Sequence, residues 1–334
     1  MKSKYTCIGG QALIEGIMMK SPEKTAMAVR KPNGEIYIEN ISENSLRNRH
    51  KFFALPVIRG VVAFVESLIG GYKTMMRSAD ISGFTDLTEE TAESETDGEV
   101  TENTEESEKN NSALMTVLTV IGTVLGVALA VVLFLLLPRL CVSLLEYLFK
   151  TKFSPAAHSA IEQGIKLVVL VLYMYSISFM KDIRRVFMYH GAEHKTIFCY
   201  EHGLDMTVEN VRKERRFHPR CGTSFMILMI LVSFIVSFAV QILFRGVYDN
   251  AAVWVGVKIL MIPLICGLGF EILRICGKYD NLFTKIIAAP GLWLQRITTK
   301  EPDDDMIEIA IAALKACEPA IPDVDRKGVE DGEQ

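Results

Sequence analysis

The chain has 334 residues, half of them apolar, a formal net charge of −4 and a mean hydropathy of +0.25. Hydropathy this high at this length points to a large membrane share rather than to two soluble domains, and without a basic excess nucleic acid is not an expected partner. Seven scattered cysteines with no CxxC pair suit reduced thiols better than a secreted disulfide framework.

The N-terminus has basic residues but neither an apolar run nor a cleavage motif, so no signal peptide is expected. Residues 1–83 read as a small α+β unit. Ala26–Arg30 and Glu35–Glu39 flank Lys31-Pro32-Asn33-Gly34, and Asn-Gly accepts the positive φ that a tight hairpin demands. Leu55–Met76 is apolar but broken by Pro56, Arg59, Glu66 and Gly70-Gly71. Two charges would be costly at mid-bilayer, so this element is expected on the membrane surface or packed on the hairpin. Residues 84–111 carry acids from Asp86 to Glu108 with no base before Lys109. Such a segment buries too little apolar surface to offset its ordering entropy and reads as a disordered linker.

Residues 112–281 read as a membrane domain. Four runs approach the ~20 apolar residues that a helix needs to cross the ~30 Å hydrocarbon core. They are about 113–137, ending at Pro138; 164–180, with Lys166 near one end; 224–244; and 253–273, with Lys258 and Glu271 towards its ends. The fold class expected is mainly α: a four-helix transmembrane bundle with a small N-terminal α+β cytoplasmic unit. Lys and Arg crowd the 181–223 loop, where Arg184, Arg185, Arg212, Lys213, Arg215 and Arg216 occur, while Arg245 stands alone between the third and fourth runs. Cytoplasmic loops carry that excess, so both termini are placed in the cytoplasm. The tail, 282–334, has an apolar stretch around Ile286–Trp293 and a short helix, Met306–Ala316, whose alternating Ile, Ala and Leu suggest packing on something. Its last dozen residues look frayed.

The main chemical candidate is Tyr189-His190-Gly191-Ala192-Glu193-His194-Lys195. Histidines four apart project from one helix face, a spacing that lets two imidazoles share one ion, and Glu193 beside them is a candidate general base in an H-x-x-E-H pattern. A second cluster, His218-Pro219-Arg220-Cys221-Gly222-Thr223, returns to the same membrane face, so His218 or Cys221 can supply a third ligand. Glu201 lies ~10.5 Å along the helix from His194 and is too distant to share the ion unless the helix breaks first. Arg220 and Lys195 are candidates for holding an anionic headgroup or a developing oxyanion. Between the clusters, Gly203 should end one helix and Thr207 should cap the next. A third cluster, Gly9-Gly10-Gln11-Ala12-Leu13-Ile14-Glu15-Gly16, is neither G-x-G-x-x-G nor a P-loop. It suggests a backbone passing close to something or a strand–turn region, with Glu15 as an accessory ligand, a base or a structural group.

Taken in order, Gly9–Met19, Leu55-Pro-Val-Ile-Arg-Gly60, His190–Thr196 and His218–Phe225 resemble the YqhQ-like family, bacterial membrane proteins of unknown function catalogued as predicted metal-dependent enzymes. The likeness covers about residues 5–80 and 113–300 and leaves out the acidic linker and the tail. It implies an inner-membrane protein that binds a metal, with Glu15, His190, Glu193, His194, His218 and Cys221 the positions carried over, and it supplies no reaction. The donor types and the histidine spacing themselves point to a divalent metal, zinc first, with Glu193 outside its ligand set.

Three function classes follow. The first is a membrane-bound metal-dependent hydrolase acting on a small molecule or lipid. The second is a non-catalytic scaffold with a structural metal. The third is a transporter component, for which Gln241, Lys258 and Glu271 make a thin lining. The orientation is open to direct test. A cysteine placed in the 245–252 loop should label from outside the cell and one at Arg212 should not; the opposite pattern would invert the topology.

Overall fold

The computed structural model describes residues 8–42, 51–84, 120–219, 221–244, 251–278 and 281–318. The expected acidic linker from 85 onward, the first residues of the first span, Arg220 and the frayed end lie outside the described residues. Four antiparallel strands, β1 Gly9–Leu13, β2 Gly16–Lys20, β3 Thr25–Arg30 and β4 Ile36–Ile41, pair in sequence order. Arg30 pairs with Ile36 across the expected Asn-Gly turn, and Gly34 takes φ 86° there. Both faces of β3 are covered, so Ala26–Val29 reads as a continuous apolar run rather than an alternation.

The helices are α1 Ile58–Ile81, α2 Val120–Phe149, α3 Pro155–Ile177, α4 Lys181–Glu201, α5 Val208–Lys213, α6 Gly222–Leu243, α7 Ala251–Lys278, α8 Leu282–Thr298 and α9 Asp304–Cys317. Four of them contain stretches long and apolar enough to cross a membrane: Val120–Phe149, Ala157–Ile177, Phe225–Leu243 and Ala252–Ile275. Gly203 takes φ 68° just beyond α4, and the Thr207 side chain caps α5, as the sequence suggests.

Two boundaries differ from expectation. The first run does not stop at Pro138. A wide turn at Val132–Leu136, with Leu137 N–H bonded back to Val132 O, precedes the proline, and the helix continues to Phe149. Re-spacing the backbone there accommodates a residue that has no N–H to give. The second helix begins at Pro155, ahead of the expected 164, capped by the Ser154 side chain. The charges that interrupted its hydropathy, Glu162 and Lys166, are paired inside the bundle, Glu162 with Lys258 of α7.

α1 joins the bundle to the sheet. At one end Arg59 Nε donates to Glu271 of α7 at 2.6 Å, and Gly60 packs against Gly267. At the other, Gln11 Nε2 donates to Gly71 O at 3.3 Å, Ser78 Oγ accepts from Ile14 N, and Met75 and Ile81 cover Leu13, Met27 and Val29. The opposite sheet face (Ile17, Met19, Ala26, Ala28) packs against Ile307, Ile309, Ala310 and Leu314 of α9 and Ala192 and Ile197 of α4. The tail helix is thus part of the core rather than an appendage, and the unit around the sheet draws on both ends of the chain. Leu314 is fully buried in it. Leu314→Ala should therefore cost about 2–5 kcal/mol, read as a lower unfolding midpoint of the purified protein.

Candidate metal centre

α4 carries the main motif through the interior: Tyr189 and Gly191–Ile197 are all buried. Gly191 is required by a close crossing, because a Cβ there would sit 2.0 Å from Lys300 O, in the strand of chain that bonds Lys300 N to Phe187 O at 2.8 Å. Gly10 has the same kind of reason. A Cβ on it would meet Met18 O at 2.7 Å and Glu193 Cδ at 3.0 Å.

The His190 and His194 rings lie one turn apart, 4.4 Å between centroids. His190 Nδ1 faces Thr298 O at 2.9 Å, and His194 Nδ1 faces Arg216 O. A carbonyl can only accept, so each Nδ1 carries a proton and each neutral ring keeps its lone pair on Nε2. His190 Nε2 is 3.1 Å from Cys221 Sγ, whereas His194 Nε2 is buried without a hydrogen-bond partner. Ligand atoms of His190, His194 and Cys221 all lie within 4.8 Å of one another, close to the span of a shell with bonds of ~2.0–2.3 Å. Rings oriented by carbonyl acceptors on Nδ1, an orphaned Nε2 and a nearby thiol are donors that fit a divalent metal ion. Cys221 is the N-cap of α6, its sulfur accepts from Thr223 N and Oγ1, and the positive end of the helix faces it. Burial holds the His194 imidazole below its ordinary value.

Of the two sources named for a third ligand, Cys221 joins the pair. His218 stands beside it: its ring is 5.6 Å from that of His194 and its Nε2 is 3.9 Å from the Glu201 carboxylate. Glu193 is buried on the wall of a cleft of about 340 Å³ that also contains Gly10, His190, His194, His218 and Cys221. Burial raises its carboxyl to about 7, against the pull of the His190 imidazole and of a hydrogen bond from Gly10 N–H. Glu15 sits at the β1–β2 turn with φ 50°, pairs with Arg185 and accepts from Tyr189 Oη at 3.1 Å, which clamps α4 to the sheet. Lys195 Nζ donates to Arg212 O at 2.8 Å and pairs with Glu301. Sequence reasoning missed Gln295, which is fully buried and grips both backbone groups of His218 at 2.8 Å, and so sets the approach of the chain to Cys221. It also missed Thr298 and Arg216, which act through main-chain carbonyls that any residue carries.

A family model described as "Protein of unknown function (DUF1385)" matches residues 55–320. The chain is 34% identical over 309 residues to "Uncharacterized protein YqhQ" of Bacillus subtilis (strain 168), covering 92% of this chain and 90% of that one. No solved structure matches. The family match contains all three clustered ligands and runs through α9, so the likeness extends past the expected limit near residue 300.

Two motif glycines should behave differently. Gly191→Ala should destabilise the protein by about 1–3 kcal/mol, because a backbone oxygen cannot swing aside. Gly222→Ala, with nothing within 4 Å of its added carbon, should be tolerated. Thermal unfolding of the two variants decides this.

Proposed function

The chain belongs to the YqhQ-like family, DUF1385, and from the chemistry of its site we propose that it is a membrane-bound, metal-dependent hydrolase. The observation that carries the reading is the convergence of two oriented Nε2 lone pairs and one thiol on the wall of a cleft that also presents a buried carboxylate. Two imidazoles and a thiolate suit zinc.

In this reading His190 Nε2, His194 Nε2 and Cys221 Sγ hold the ion. When bound, the ion would supply Lewis acidity towards the oxygen of the substrate's carbonyl or phosphoryl group, making the atom it is bonded to more electrophilic, and towards water. Glu193 takes the proton from the attacking water and returns it to the leaving group. The Gly10 N–H holds that carboxylate against β1 on the cleft wall. With the basic 181–223 loop on the cytoplasmic side, the cleft meets a small molecule or a lipid headgroup arriving from the cytoplasm.

A second reading, a scaffold with a structural metal, is favoured by one observation. The His218 ring lies next to His194, and a fourth protein ligand would close the site.

Metal analysis of the purified protein tests the ion that both readings share, and Glu193→Gln separates them. About one equivalent of zinc is expected, lost in His190→Ala and retained in Glu193→Gln. Glu193→Gln should also lower hydrolysis of whichever lipid, ester or peptide the wild type cleaves by about 10²–10⁴-fold. A wild type without metal would end the metal reading. A Glu193→Gln protein that complements a deletion strain as well as wild type does would transfer the lead to the scaffold.

A further inference from the structure

The end of the bundle away from Cys221 holds charges that the metal centre does not use. Cys221 caps the start of α6 and Gln241 lies near its other end, about 30 Å away at ~1.5 Å per residue. At the Gln241 end, Glu162 and Lys166 of α3 and Lys258 of α7 are buried together, with 1%, 6% and 6% of their surfaces exposed. Glu162 Oε1 pairs with Lys258 and lies 3.6 Å from Lys166 Nζ. His158 Nδ1 lies 4.0 Å from the other Glu162 oxygen. Arg139 and Glu146 of α2, of opposite sign and partly buried, both act on His158, and Arg139 also acts on Lys258, so neither removes the excess of positive charge. Two buried ammonium groups therefore share one carboxylate, and a residual positive charge in an apolar bundle is costly without a counter-charge.

The space for such a counter-charge is adjacent. A cavity of about 60 Å³ is walled by Lys166 and Lys258, by Ser233 and Ser237 of α6, and by Trp254, over whose ring the Lys258 ammonium sits at 5.1 Å. One water needs about 10–15 Å³ of such volume, so an ion with a water or two fits. The two serines bring hydroxyl donors to the same wall, and the remaining lining is aliphatic.

We propose that this cavity binds a small monovalent anion of chloride size, held between Lys166 and Lys258 with Ser233 and Ser237 donating to it. One negative charge brings the group of two ammonium ions and one carboxylate to neutrality. A cation would be repelled, and a dianion would overshoot the charge and crowd the space.

The test is thermal unfolding of the full chain in detergent at constant ionic strength, with sodium chloride exchanged for sodium gluconate, whose anion is too large for the cavity. The midpoint of the wild type should rise with the logarithm of chloride concentration, and bromide should substitute for chloride. Lys166→Gln and Ser237→Leu should each weaken the apparent chloride affinity at least tenfold. Ser237→Leu fills the cavity without altering its charges, so it decides the matter if Lys166→Gln fails to fold. Equal midpoints in chloride and gluconate would overturn the proposal and mean that a lysine relieves the excess by shedding its proton. A chloride response that persists unchanged in Ser237→Leu would place the effect on the surface and also overturn it.

Discussion

α4 is a polar helix buried along most of its second half, and that constraint organises the rest of the molecule. Burying a charge or an imidazole is costly unless it has a partner, and five of the polar side chains on α4 find one in another segment. Tyr189 finds Glu15, His190 finds the Thr298 carbonyl, Glu193 finds Gly10 N–H, His194 finds the Arg216 carbonyl, and Lys195 finds Arg212 O and Glu301. These partners come from the first strand and the turn after it, the central loop, and the end of α8 with the chain that follows. Satisfying one helix therefore gathers remote parts of the sequence, and the cleft is the space left where they meet.

The glycines follow from the same crowding. Gly191 lets the chain after α8 cross α4 at backbone contact, and Gly10 lets β1 lie against the Glu193 side chain. A methyl group at either place would push apart the two surfaces that orient the histidines. Gln295 adds a third fastening, binding α8 to His218 just before the turn into Cys221. The bundle beneath serves as an anchor: Cys221 caps the start of α6, so the helix that fixes the thiol itself contains one of the four apolar stretches. α1 then ties the sheet to α7 through Arg59 and Glu271.

Much of this was legible in residue order. The hairpin at Asn33-Gly34, the Thr207 cap and the turn at Gly203 rest on local backbone preferences, which act over a few residues. The common face of His190 and His194 follows from 3.6 residues per turn. What failed locally failed for tertiary reasons. The second helix hid its start because Glu162 and Lys166 look like loop residues until Lys258 arrives from α7. Pro138 looked like a stop because a wide turn upstream is not visible in composition. α9 looked like part of a tail because its partner sheet lies almost three hundred residues earlier.

The sequence by itself determined the apolar runs, the helical spacing of the two histidines, the Glu193 beside them and the basic loop around them, since hydropathy, helical period and charge are properties of neighbouring residues. The tertiary structure alone decided that Cys221 joins the histidines while His218 turns to Glu201, that Glu15 is a clamp, that both imidazoles present Nε2, and that two lysines share one carboxylate in the bundle. Each of those outcomes is a contact between segments far apart in the chain, often through a main-chain carbonyl or N–H that every residue possesses. No residue type announces such a contact; only the packing that brings the segments together does.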